Sequence, residues 1–267
     1  MLLNRNRRGL LFHTLTAITV AVMIYLLVPL FFLIMLSFNS SRWLAFPPPG
    51  WTLRWFGELF TNPGWIDSIL NSIKIGLIVM VLSLLLGVPT SFALVRGRFP
   101  GRTLLNAFFA SPMIVPVIII AVALYGLALT FGLAGTSIAF VIAHLIVALP
   151  FAIICISSSL MSFDESVEKA AIVCGASKFG AIRRITLPTI RPGIVAGGLF
   201  AFLISWDEVV LAIFMATPGL QTLPVKIWTT LRADLSPVIA AASSLLIVAT
   251  MAIVLLVLAF RKPEPGR

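Results

Sequence analysis

Cysteine and histidine are nearly absent from this chain, with two of each among 267 residues. Cys155 and Cys174 imply no disulfide framework, and no His/Cys set stands at a metal-ligand spacing. Both cysteines read as small packing residues. Charge is scarce as well, at 10% of residues, and acid is scarcest, with nine Asp and Glu against 19 Lys and Arg. That composition excludes an ordinary soluble domain. No G-x-x-x-x-G-K-[ST] phosphate loop occurs, so the chain is not expected to hydrolyse ATP by itself. Ser157, Ser158 and Ser159 have no nearby His–Asp arrangement, so nucleophilic catalysis has no support.

Apolar residues are what the chain has in abundance: 60% of it is hydrophobic, and mean hydropathy is +1.11. Its runs reach ~20 residues, enough to cross the ~30 Å hydrocarbon core as helices. Backbone polar groups in lipid must pair internally, which favours helices, and the alternation of a membrane barrel strand is absent. The expected fold class is all-α, a polytopic membrane protein with six transmembrane helices in one domain over residues 1–267. The spans are placed at about 13–38, 68–95, 103–130, 136–158, 193–216 and 237–260. Pro112, Pro116 and Pro150 fall inside them, where neighbouring helices can satisfy freed carbonyls. The run after the basic N-terminus is too long for a signal peptide and is read as a retained first span.

The net charge of +10 is spread between the apolar runs, with no basic, aromatic-laced soluble domain, so no nucleic-acid partner is expected. Arg5, Arg7 and Arg8, then Arg96, Arg98 and Arg102, then the basic residues from Lys169 to Arg191, then Arg261, Lys262 and Arg267 fall on one side of the membrane. The opposite loops hold only Arg42, Arg54, Lys226 and Arg232. The positive-inside rule therefore makes both termini and the loop at about 159–192 cytoplasmic. The exterior segment 46–65 is rich in Pro, Gly and Trp and suits an interfacial re-entry, and a short exterior helix is expected around 224–234.

The loop after the fourth span is unusually ordered for its place. Ser162 with Glu165 forms a capping box, or Asp164 caps directly. Val167, Ala170, Ala171 and Cys174 recur at helical spacing, Gly175 suits a left-handed helix end, and Ser177 can cap a second short helix that Pro188 limits. Two readings of this amphipathic segment are open: a helix on the anionic inner leaflet, or a docking element whose small residues admit close approach of a protein.

"EKAAIVCGASKFGAIRRITLPTIRPGI" resembles the cytoplasmic signature loop of ABC importer permeases, through Ala170, Ala171, Gly175, Ile185, Leu187 and Pro188. The glutamate of that family's Glu-Ala-Ala triplet falls on Lys169, with Glu168 just before it, so Lys169 is read as reaching an acidic group on the partner. Further stretches, among them "FPPPGWTLRWFGELFTNPGW", "SPMIVPVII" and "SWDEVVLAIFMATPGLQTLPVKIW", are similar to the second permease subunit of spermidine/putrescine importers. The resemblance implies the type I importer transmembrane fold and a loop, Glu168–Pro188, that couples to an ATPase. It also implies a homologous second permease, two ATPase subunits carrying ATP and Mg, and a periplasmic or external binding protein that sets most selectivity. The place is the bacterial inner membrane, in contact with lipid. No cofactor is expected on this chain, nor any enzyme activity of its own.

Asp207 and Glu208 stand about 14 residues into the fifth span, or ~21 Å along a helix. Carboxylates at membrane depth are costly and usually face a cavity or bundle interior. One reading has them line the path of a cationic substrate, with Trp206 as a cation–π face. The other is a structural pair bonded to neighbouring helices. Lys74 is expected to snorkel, His144 to form an interhelical hydrogen bond, and His13 to be interfacial. Two further readings are an importer of opines, γ-aminobutyrate or another small organic solute, and an ion-gradient-driven secondary transporter in which Asp207 and Glu208 bind the ion. Six spans without a visible inverted repeat weigh against the last.

Overall fold

A computed structural model describes residues 5–259. The helices are α1 (Arg5–Leu36), α2 (Arg54–Thr61), α3 (Pro63–Arg96), α4 (Arg102–Ala110), α5 (Val117–Thr130), α6 (Ser137–Met161) and α7 (Glu165–Val173). They continue as α8 (Lys178–Ala181), α9 (Leu187–Thr189), α10 (Arg191–Asp207), α11 (Val210–Met215), α12 (Leu223–Ala233) and α13 (Val238–Ala259). Among the described residues there is no strand, only isolated bridges at Asn39–Trp51 and Thr217–Leu220. The described residues divide into two compact units, those up to Asn62 with Thr230–Val248, and Pro63–Thr229 with those from Ala249 on.

In the first unit the turn after α1 is organised by buried Asn39. Its side-chain amide donates to the carbonyls of Trp43 (3.2 Å) and Ala45 (2.8 Å), and its Oδ1 accepts the Ser41 N–H at 2.9 Å. The Trp55 indole N–H donates to the Asn39 carbonyl at 2.6 Å, which fastens the short amphipathic α2 by its buried Trp55–Leu59 face. A buried side chain that meets this many backbone groups fixes a loop that has no regular structure of its own.

The second unit is built on α3, α6 and α10, which pack against one another along their lengths. Small residues at the crossings let the backbones approach: Gly197 lies against the Ala152 backbone, and Gly87 against Ala152 and Ile156. The core combines Ile75 and Val79 of α3, Phe140 and Ala143 of α6, Ala201 of α10, and Leu211 and Met215 of α11. The segment before α12 is fastened to α3: Ser72 Oγ accepts the Leu223 N–H at 2.7 Å and Asn71 donates to the Gln221 carbonyl at 3.2 Å.

Among the described residues four helices are long and apolar enough to cross a membrane, within Leu11–Leu36, Pro63–Arg96, Ser137–Met161 and Val238–Leu255, and two bent pairs bring the number to six if each is one span. The third span is therefore bent, and the fifth candidate span is Lys178–Thr189 with Arg191–Asp207, bent by 67°, in place of the continuous 193–216 expected. The stretch 103–130 is α4, a 3-10 turn at Ser111–Met113, and α5, bent by 98°. Pro112 and Pro116 have no N–H to continue the ladder, and Pro116 is extended at the start of α5. The stretch 193–216 is interrupted between Asp207 and Val210. The helix expected around 224–234 is α12.

Candidate functional site

The loop after α6 forms two helical pieces around a glycine. Of the two capping choices, Asp164 is the one used: its carboxylate accepts the Ser166 N–H at 2.9 Å, while Ser162 ends α6. Gly175 has φ +95°, and the Ala176 N–H reaches the Ala171 carbonyl at 3.0 Å, closing α7 with a left-handed glycine. Ser177 then caps α8 through the Gly180 N–H at 3.1 Å. Pro188 limits this second piece, which stops one residue past it before a 67° bend into α10. Helical structure runs on to Thr189 because Ile182–Thr186 forms a π turn in which the Leu187 N–H reaches back five residues to Ile182. The wider turn absorbs the donor that Pro188 lacks.

The tie between this loop and the bundle is a charged cluster at the end of α3. Arg96 Nη1 donates to Glu168 Oε2 at 2.7 Å, and the Thr186 hydroxyl donates to the same oxygen. Arg96 Nε lies 3.6 Å from Glu165, and the guanidinium sits over the rings of Phe92 (5.2 Å) and Phe163 (5.5 Å). Glu168 is only 7% exposed. Burial pushes its carboxyl up, but the Thr186 hydroxyl and Arg96 outweigh that and hold it below the usual carboxylate range. Lys169 points away: its side chain is 74% exposed and lies 3.6 Å from Glu165. Ala170 and Cys174 are exposed and Ala171 half-buried, while Val167 and Val173 are open to the surroundings. Cys174 is therefore no packing residue within the chain; Cys155 is half-buried. Ile185 and Leu187 are half-buried, Leu187 against the cluster of Ile156, Leu160 and Ile190, and Pro188 is exposed.

The second candidate site is the interruption after α10. Asp207 is exposed and ends α10, and Glu208 is half-buried with extended backbone (φ −73°, ψ 117°). Glu208 Oε1 accepts the N–H groups of Val210 (2.8 Å) and Leu211 (3.0 Å). Trp206 is 4% exposed and stacks on Phe202 at 5.9 Å between centroids, so it offers packing and not the open cation face expected of it. His144 makes the expected interhelical bond, with Nδ1 2.9 Å from Ser205 Oγ across α6 and α10. Lys74 is exposed. Among the described residues no group of three His, Cys, Asp or Glu could hold a metal ion.

Residues 80–262 match the model of a family described as "Binding-protein-dependent transport system inner membrane component". The chain belongs to this permease family. It is 31% identical over 235 residues to the spermidine/putrescine transport system permease protein PotC of Escherichia coli (strain K12), covering 88% of this chain and 89% of that one. It is 32% identical over 230 residues to the putrescine transport system permease protein PotI of the same strain, covering 84% and 82%. A bacterial ABC transporter involved in the import of the acidic polysaccharide alginate shares the fold, with TM-score 0.74 at 18% identity over 98% of this chain and 100% of that chain. The methionine ABC transporter MetNI, in an inward-facing form, has TM-score 0.61 at 16% identity over 74% and 96%. The protein is thus a multi-pass inner-membrane permease subunit of an ABC importer, homologous to spermidine/putrescine permeases.

Within the permease, Arg96, Thr186, Phe92 and Phe163 are the members of the loop cluster that sequence reasoning missed. Arg96 carried only an orientation signal, and nothing linear sets residue 96 beside residue 168. A signal was present in the displaced glutamate: a one-residue shift turns a carboxylate by about 100° around a helix. Glu168 therefore faces the bundle where Lys169 faces out.

The left-handed Gly175 yields a testable consequence. Gly175→Ala meets no atom within 4 Å, so its cost is conformational, about 1–2 kcal/mol for a left-handed L-residue. A bulky replacement adds an obstacle on the open side of the loop. ATP-driven uptake by the reconstituted system is expected to fall for Gly175→Leu while substrate binding to the external protein is unchanged. Intact uptake would remove Gly175 from the mechanism.

Proposed function

We propose that this permease forms half of a translocation path for polyamines or related cationic amino compounds, and that ATP hydrolysis on separate subunits drives it. The observation that carries the substrate class is the exposed Asp207 at an interrupted span, in a chain 31% identical to a spermidine/putrescine permease. Interrupted backbone at membrane depth is tolerated where it lines a cavity, and a carboxylate there attracts a cation.

In this reading both termini and the Glu168–Pro188 loop are cytoplasmic, as the basic residues direct. The loop docks on an ATPase through the open surface of α7. Two such ATPase subunits hold ATP and Mg, a homologous second permease completes the path, and an external binding protein delivers substrate. This chain does no chemistry of its own; it turns a displacement of α7 into a movement of α3, because Glu168, Arg96 and Thr186 join the two without slack. ATP-driven closure of the ATPase pair opens the cavity outward, and hydrolysis resets it.

Proteoliposomes with the second permease, the ATPase and the binding protein are expected to accumulate spermidine or putrescine only with internal ATP and Mg. Uptake without ATP that follows a proton gradient would overturn the reading in favour of a secondary transporter.

A further inference from the structure

The two adjacent carboxylates at the end of α10 do not do the same thing. In a continuous helix the N–H groups of Val210 and Leu211 would bond the carbonyls four residues back, those of Trp206 and Asp207. Both N–H groups instead go to Glu208 Oε1, at 2.8 and 3.0 Å. One side chain thus stands in for two backbone acceptors, and the helix opens at Glu208–Val209 with Glu208 in extended backbone. This is the arrangement of an N-terminal cap, in which a carboxylate meets donors that the preceding turn does not serve. Asp207, one residue earlier, is exposed.

The last turn of α10 is held in place independently. Ser205 is bonded to His144 of α6, and Trp206 is buried against Phe202, whose ring lies over Gly76 of α3. Asp207 therefore projects from a fixed turn whose end is set by the cap that follows it.

We infer that Glu208 is a positioning residue, whose carboxylate holds the fifth span open between α10 and α11, and that Asp207 alone presents charge to the cation in transit. This rests on the cationic-substrate reading for the ligand, but the cap itself does not. Glutamine keeps the Oε1 acceptor without the charge and alanine keeps neither, so the variants separate the roles.

The test uses the full reconstituted complex with spermidine and two readouts, thermal stability and maximal ATP-driven uptake at saturating liganded binding protein. Glu208→Gln is expected to stay within about twofold of the wild type in uptake and to keep its Tm, since a neutral acceptor serves both N–H groups. Glu208→Ala is expected to lose about tenfold in uptake and to lower Tm, since both N–H groups then lose their acceptor. Asp207→Asn is expected to lose about tenfold or more in uptake with Tm unchanged. If Glu208→Gln loses as much uptake as Asp207→Asn, or if Glu208→Ala keeps both Tm and uptake, the division of roles is wrong. If the wild-type complex carries no spermidine or putrescine, the substrate reading fails, and the Tm pattern of the two Glu208 variants still decides the cap.

Discussion

Glu168→Ala is expected to abolish most ATP-driven uptake, by about tenfold or more, while the liganded binding protein still binds substrate normally. The argument is electrostatic and mechanical. The Arg96 and Glu168 side chains are 17% and 9% exposed, so the pair is largely out of solvent. Removing one partner of such a pair leaves an unpaired buried charge, at a cost of about 3–5 kcal/mol. With Glu168 gone, Arg96 retains only its looser contact to Glu165 and its aromatic neighbours, and α7 loses its inward anchor. A double replacement, Arg96→Met with Glu168→Leu, is expected to recover much of the stability, because apolar isosteres of a buried pair are often neutral or better. Measuring Tm and uptake in both variants separates folding from coupling. Full uptake in Glu168→Ala would show that α7 is not held through this pair.

The pH dependence follows from the same group. The folded-state carboxyl of Glu168 is held below its ordinary value of 4.5. A depressed carboxylate contributes stability that is fully present above the unfolded value and is lost as pH falls through the folded one. The tie between α3 and α7 should therefore persist on acidification to about pH 4.5 and weaken only below it. In Glu168→Gln that acid-induced loss should shrink.

Gly193→Ala is expected to destabilise the bundle by about 1–3 kcal/mol, the range for forcing extra atoms into a packed interface. A Cβ at residue 193 would meet Ser159 Cβ at 2.3 Å, Ser159 Oγ at 2.8 Å and the Cys155 carbonyl at 3.1 Å. A Cβ is fixed by its backbone, so α6 and α10 must separate to make room. Adding Ser159→Gly removes the two nearest atoms and should restore most of the loss. The companion Gly197→Ala meets the Ala152 backbone at 3.0 Å, where no side-chain truncation can help. The melting temperature of the purified permease complex reads all three; an unchanged Tm for Gly193→Ala would mean that the two helices do not approach as closely as described.

Much of the loop was legible in the linear chain, because its signals are local. A cap acts over two or three residues, and a left-handed glycine acts on its own turn, so Gly175 and Ser177 could be placed from sequence and the first cap narrowed to Ser162 or Asp164, of which Asp164 is used. The π turn was not legible. Pro188 marks the limit of the piece to within one residue, but nothing local announces that the helix widens ahead of it, where Thr186 is held on Glu168 and Leu187 packs on the buried cluster. The interruption at Glu208 was hidden for a similar reason. Both halves of that span are apolar, and composition cannot show that a side chain has replaced two backbone acceptors.

The sequence by itself determined that this is a helical membrane protein, roughly where it crosses, and which loop carries the family signature. Each of those rests on length, hydropathy and near-neighbour chemistry, which need no tertiary contact. Only the tertiary structure decided that Glu168 is buried on Arg96 while Lys169 faces outward, that Trp206 packs against Phe202, and that Glu208 is spent on backbone N–H groups while Asp207 stays exposed. Those assignments depend on which helix face meets which neighbour and on who takes each polar group's hydrogen bond. Both are fixed by packing between residues far apart in the chain.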